Sequence, residues 1–365
     1  MAGVEVSEEI RQKVARSLLE RNLQVKRGEH LIVEGWNHTL PWAVAIAREA
    51  RRIGALPLIL YEDEDAYWDA VDAGEAKVVG APARHEKAAV LNTDVYIHMY
   101  GPPDTVRLNA LPDATQEKLF AFNDGWYVDA RKAGLRGARL ELGRPYPTVA
   151  KAYGVDEASW REQMVNGTLA DPRALRRAAN PIAAALQRGK EVRIRHSNGT
   201  DLTLGLAHRT PTIWDAMVPP PAKRGRFDML ATIPNGAVRV GLKETVADGT
   251  VVANRTSFYD DAGATGGTFH FADGRLTEAT FDTGGDRFDR DFAKGGKGRD
   301  QPGWIGIGLN PGLHNTPPIE DIERGAVTVT IGRNQAFGGV NKSPMFGWVV
   351  TQGATVEVDG KRLPI

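Results

Sequence analysis

The sequence has 365 residues, 46 basic and 46 acidic side chains, and no cysteine. At roughly 150 residues per domain, this length predicts about two domains with a sizeable core. The charge balance argues against a nucleic-acid binder, and the missing cysteine excludes disulfides, thiol catalysis and thiolate metal sites. No apolar run approaches the roughly 18 residues that span a membrane, and the polar, acidic start from Met1 to Arg11 does not read as a signal peptide. The expectation is a cytoplasmic protein that binds neither nucleic acid nor membrane.

Residues 7–24 read as an amphipathic helix. Ser7 caps it, Glu8 and Glu9 suit the positive end of its dipole, and Ile10, Val14 and Leu18 share a face. A strand follows at Leu31–Glu34. A helix then opens near Pro41 and stops at Gly54. The apolar run Leu56–Tyr61 predicts a strand buried on both faces, Val95–Met99 a second such run, and Arg139–Leu142 a weaker one. Strands alternating with helices predict an α/β domain with a mainly parallel sheet, assigned to residues 1–175.

Residues 176–365 read as a β-rich α+β domain. A helix covers Ala174–Gln187. Short strands follow at Glu191–Arg195, Asp201–Leu206, Val238–Leu242, Thr250–Ala253, Gly267–Ala272 and Glu278–Phe281. Three more, Val327–Ile331, Trp348–Thr351 and Thr355–Val358, complete the set. Asp286–Pro302, rich in Gly and charge, reads as an exposed loop or lid.

Several segments resemble the aminopeptidase T family of thermophilic metalloaminopeptidases, a group that also includes 2,5-dihydroxypyridine dioxygenase. They are Asn198-Gly-Thr-Asp-Leu-Thr203, Ile233-Pro-Asn-Gly-Ala-Val238, Ala247-Asp-Gly-Thr250, Gly306-Ile-Gly-Leu-Asn-Pro311, Gly332-Arg-Asn334, Gly338-Gly-Val-Asn341 and Thr355-Val-Glu-Val-Asp-Gly360. Each is short, and their shared order carries the resemblance. It implies an aminopeptidase T-like two-domain fold, a homodimer, and a site in a cleft between the domains.

The departures fall where the family pattern supplies metal ligands. Ala237 stands for a glutamate, Trp304 for another, and Thr328 lies where a histidine follows Gly-Thr-Val. Met345-Phe346-Gly347 replaces His-x-Asp. Alanine, tryptophan and glycine offer no ligand to a divalent ion, and a methionine thioether suits only soft metals. The expectation is therefore no metal and no cofactor. Glu244, matching a glutamate of the dioxygenase branch, is kept.

Replacement chemistry is sought among the remaining polar groups. Glu244 is a candidate general base, or an ordinary strand-end ion pair. Lys243, Lys342, Arg333 and Arg239 lie in or beside the family segments, where a cation substitutes for a metal's charge. His314 sits in a neighbouring loop. Trp304 and Phe346, with Met345 filling gaps, either shape a pocket for a flat or apolar substrate or plug the vacated space. Asn310, Asn334 and Arg333 complete the substrate-binding candidates, and Glu244, Lys342, Lys243 and His314 the catalytic ones. His98 ends a first-domain strand, where parallel sheets bind ligands.

The leading expectation is a metal-independent hydrolase cleaving an amide-like C–N bond of a small polar molecule. The alternatives are a ring-cleaving non-haem dioxygenase of a hydroxylated heterocycle, with Glu244, His314 and His270 as relocated ligands, and a non-catalytic binding or assembly homologue.

Overall fold

The computed structural model describes residues 6–219, 229–259 and 262–365. It divides into two units, Met1–Leu169 with Ala216–Pro234, and Ala170–Asp215 with Asn235–Ile365. Residues 216–234 thus return to the first unit, a crossing that no shift in composition announces.

In the first unit Ser7 opens the helix Glu8–Ser17, its hydroxyl accepting from Ile10 N at 3.3 Å. The helix widens into a π turn over Leu18–Asn22. Helix Leu40–Ile53 ends at Gly54, whose φ of 90° gives the left-handed cap that only glycine adopts freely. The strands are β1 (His30–Trp36), β2 (Leu56–Glu62), β3 (Val95–Met99) and β4 (Arg136–Leu140), joined later in the chain by Leu230–Ile233, here β8. They form one parallel sheet in the order β2-β1-β3-β4-β8. β2 corrects the sequence reading. It is an edge strand, and Leu56 and Leu58 remain 55% and 50% exposed. An apolar run marks a strand but not its position in the sheet.

The second unit holds β5 (Glu191–Arg195), β6 (Asp201–Leu206), β7 (Thr212–Trp214), β9 (Ala237–Val252), β10 (Ser257–Tyr259), β11 (Ala262–Ala264), β12 (Thr268–Ala272) and β13 (Arg275–Thr280). It ends with β14 (Pro302–Gly308), β15 (Ala326–Gly332), β16 (Phe346–Gln352), β17 (Thr355–Val358) and β18 (Lys361–Arg362). The main path of its large sheet is β16-β15-β14-β9-β6-β5-β17-β18, with antiparallel neighbours throughout. One face carries Val238, Val240, Ile305, Ile307, Val327, Val329 and Ile331. They pack with Leu175, Ala179, Ile182 and Leu186 of helix Pro172–Arg188.

Three elements differ from expectation. The two short strands expected in 238–253 are one 16-residue strand, because β6 pairs with both of its halves across a bulge. At Gly249 (φ 111°) a Cβ would stand 2.2 Å from the Asp201 carbonyl oxygen, so glycine is required there. β14 was unforeseen because its glycines weaken the strand signal, yet pairing with β9 and β15 buries all seven residues. The expected lid begins instead as helix Gly285–Lys294. Its Phe288 and Phe292, one turn apart, stack at 5.7 Å, and Phe288 is buried in the core.

Candidate functional site

Three of the substituted ligand positions, Ala237, Trp304 and Thr328, come together on adjacent strands with Phe346, the middle residue of the segment that replaces His-x-Asp, while Met345 and Gly347 fall on the opposite, core-facing side. Ala237 is on β9, Trp304 on β14, Thr328 on β15 and Phe346 on β16. Registers Gly306↔Arg239, Trp304↔Gly241, Gly306↔Thr328 and Gly332↔Phe346 put their side chains on one face, opposite the apolar core. Alternation along β9 adds Arg239 to this face, two residues beyond Ala237.

Arg239 occupies its centre. Its guanidinium carbon lies 3.9 Å from the ring centroid of Trp214, 4.9 Å from Trp304 and 6.0 Å from Phe337. One terminal nitrogen donates to the Asp321 carboxylate. The residue is only 8% exposed. Burial pushes its pKa down and Asp321 opposes this, but a guanidinium stays charged in either case. Gly306 makes room for the box, since a Cβ there would meet the Trp304 ring at 2.9 Å. The Thr328 hydroxyl, fully buried on the same face, has no hydrogen-bond partner among the described residues.

Trp304 is 4% exposed and packs on Phe337 at 5.0 Å and on Phe346 at 6.2 Å, and Phe346 continues to Trp348 at 5.1 Å. Arg333 is exposed and lies 4.9 Å over Phe346. Met345 is buried. Trp304 and Phe346 therefore fill space with protein. A groove of about 310 Å³ in this unit is lined by Pro181, Arg188 and Lys361 and includes none of these residues.

Glu244 is held firmly. Both its oxygens accept from Arg209 at 2.8 Å, and Oε1 also accepts from Asn334 Nδ2 at 2.9 Å and Val340 N at 3.0 Å. Burial acts to raise its pKa, but Arg209, Val340 N–H and Asn334 outweigh it and bring it to about 2. Such a carboxylate is a feeble base, and the general-base role expected for Glu244 gives way to a structural ion pair. Asn334 and Asn341 extend this network, with Asn341 N donating to Asn334 Oδ1 at 2.9 Å. Asn310 is likewise structural, bonding the Asn235 carbonyl at 2.7 Å.

The other expected catalytic groups do not join the box. Lys243, Lys342 and His314 are exposed. His270 bonds Thr250 Oγ1 at 2.8 Å. Sequence reasoning missed Glu320, on the short turn that also carries Asp321. It is 3% exposed, and burial, with Glu323 and Asp321 nearby, raises its pKa well above the carboxylate range. No spacing motif surrounds it, so no signal short of the fold would have found it.

The residues present do not fit the family's metal. Among the described residues no three His, Asp or Glu side chains form a group able to hold an ion. The converging face offers methyl, hydroxyl and aromatic groups around a fixed positive charge, which repels a divalent cation.

Comparison with known proteins agrees with this fold. Wild-type AmpT from Thermus thermophilus superposes with a TM-score of 0.71 at 16% identity, covering 98% of each chain. The 2,5-dihydroxypyridine dioxygenase of Pseudomonas putida KT2440 superposes at 0.60 with 14% identity, covering 98% of this chain and 96% of that one. No curated protein matches in sequence. The thermophilic metalloprotease (M29) family matches residues 7–294, a span that includes Ala237 and Glu244 but ends before Trp304. With that match over most of the sequence and the aminopeptidase T-like architecture, the chain belongs to the M29 family of thermophilic metalloproteases.

Proposed function

We propose that this M29 member is a metal-independent hydrolase of the aminopeptidase scaffold, cleaving an amide-like C–N bond of a small polar molecule. The observation that carries the reading is Arg239, a fixed cation on the sheet face that carries three of the substituted positions, Ala237, Trp304 and Thr328. A buried guanidinium stabilises a developing oxyanion as a metal would, and its low-dielectric surroundings strengthen the effect. Water adds to the carbonyl carbon, Arg239 stabilises the oxyanion, Glu320, whose protonated form burial favours, gives its proton to the leaving nitrogen as the C–N bond breaks, and the proton released by the added water returns to Glu320. This moves the acid–base role from Glu244 to Glu320 and the cationic role from Lys342 and Lys243 to Arg239.

The proposal includes the homodimer implied by the family resemblance and a cytoplasmic location. Light scattering and fractionation test these two parts. No helix among the described residues is long and apolar enough to cross a membrane.

The test of the reaction is release of amine from unblocked aminoacyl amides and dipeptides, with and without millimolar chelator. Chelator-resistant turnover that disappears in Arg239→Met supports it. Turnover only after loading with Zn²⁺, Mn²⁺ or Fe²⁺ sinks it.

One observation favours a second reading, a non-catalytic binding homologue. Trp304 and Phe346 pack on protein and Glu244 is tied up, so the inherited face is filled rather than open. Absence of turnover across the panel, with no metal bound, would select it.

A further inference from the structure

The first unit carries a second polar constellation, entirely separate in sequence from the face around Arg239. Its parallel sheet runs β2-β1-β3-β4-β8, so the chain leaves β1 in one direction and, after β2, returns past it to β3. Successive connections from this point diverge, and ligands of open parallel sheets bind outside the carboxyl ends of the strands where they do so. The residues at those ends are Glu34 of β1 and His98 of β3, directly paired in register.

They are hydrogen-bonded as an oriented pair. Glu34 Oε2 lies 3.1 Å from His98 Nδ1 and accepts from the Tyr96 hydroxyl at 2.5 Å. A carboxylate on Nδ1 fixes the imidazole tautomer with its proton there, leaving the Nε2 lone pair as an acceptor. The pair is neither sealed nor freely solvated, with side-chain exposures of 28% for His98 and 22% for Glu34. Tyr96 is anchored edge-on to Trp126 at 5.0 Å, which fixes the far end of the chain of bonds.

The surroundings select the ligand's charge. Glu62 ends β2 on the same face as Glu34, and Glu86 lies on the helix Arg84–Leu91. Burial, then the charge of Glu34, raises the pKa of both. Nearby cations are already matched: Arg139 and Arg144 pair with Glu141, and Lys87 with Asp129.

We infer that the carboxyl end of this sheet is a binding site for a small molecule bearing a protonated amine, which donates to His98 Nε2 while Glu34 orients the ring. The test is imidazole ¹⁵N NMR of the full chain, titrated with putrescine and ethylammonium, and with acetate as the anionic control. The expected result is His98 in the Nδ1–H tautomer, with its signals shifted saturably by the amines and not by acetate. Glu34→Gln should weaken putrescine at least about tenfold. Glu62→Gln, an exposed change that spares the pair, should weaken it about threefold with an unchanged fold. An Nε2–H tautomer, equal shifts with acetate, or no saturable shift with either amine would overturn the inference. Weakening by Glu62→Gln with Tm unchanged separates lost binding from a disturbed fold.

Discussion

Replacing Arg239 by methionine removes the charge but keeps an unbranched side chain of comparable length. Two aromatic faces, Trp214 at 3.9 Å and Trp304 at 4.9 Å, lose their cation. Such contacts contribute about 0.5–2 kcal/mol each when desolvated. Asp321 also loses its partner, and breaking a buried pair from one side costs about 3–5 kcal/mol. Asp321 is itself 19% exposed in its side chain, so water recovers part of that loss. The expected net cost is about 2–4 kcal/mol, since methionine retains some packing. Urea unfolding followed by tryptophan emission measures it, because two of the eight tryptophans sit against the guanidinium. Arg239→Met/Asp321→Asn should recover about half of the loss, because no unpaired carboxylate is left behind. A single-variant cost below about 0.5 kcal/mol, the range of ordinary surface changes, would refute the argument that Arg239 is the keystone of this face.

Other expectations concern specific side chains. Glu244 has a depressed folded pKa of about 2, so its contribution is present above the unfolded carboxylate range and is lost as pH falls from about 5 toward 2. Glu244→Gln should lower stability at pH 7 by about 1–2 kcal/mol and flatten that acid limb of the Tm–pH curve. Glu320 has the opposite sign: its raised folded pKa means stability falls as pH rises above the unfolded value, so Glu320→Gln should raise Tm at alkaline pH and change little at pH 4. If Tm is unaltered in alkali, burial of that carboxyl is not what perturbs it. Gly249→Ala should cost about 2 kcal/mol or more, because its φ of 111° and the 2.2 Å approach to Asp201 leave no room for Cβ, and calorimetry reads this directly.

Local chemistry made much of the architecture legible. Ser7 and Gly54 marked helix ends because capping is a short-range hydrogen-bonding problem. Glu191–Arg195, Asp201–Leu206 and Thr355–Val358 matched observed strands because alternation reports which side faces the core. The order of short glycine-bearing motifs pointed to the family, and Ala237, Trp304, Thr328, Met345 and Gly347 were legible as side chains unsuited to a hydrolytic metal.

Pairing across the chain decided the rest. β14 exists because β9 and β15 flank it, not because Gly303, Gly306 and Gly308 favour a strand. Leu56–Glu62 lies at an edge because the sheet order puts only β1 beside it. Lys342 and Lys243 look as suitable in sequence as Arg239, yet they are exposed while Arg239 is enclosed by aromatic residues distant in sequence. Glu244 looked like a base until Arg209, Asn334 and Val340 closed around it. The sequence determined which groups this protein has available. The tertiary structure alone decided which charges are buried and paired, because burial and partnership arise from residues brought together across the fold, and they control how a side chain holds its proton.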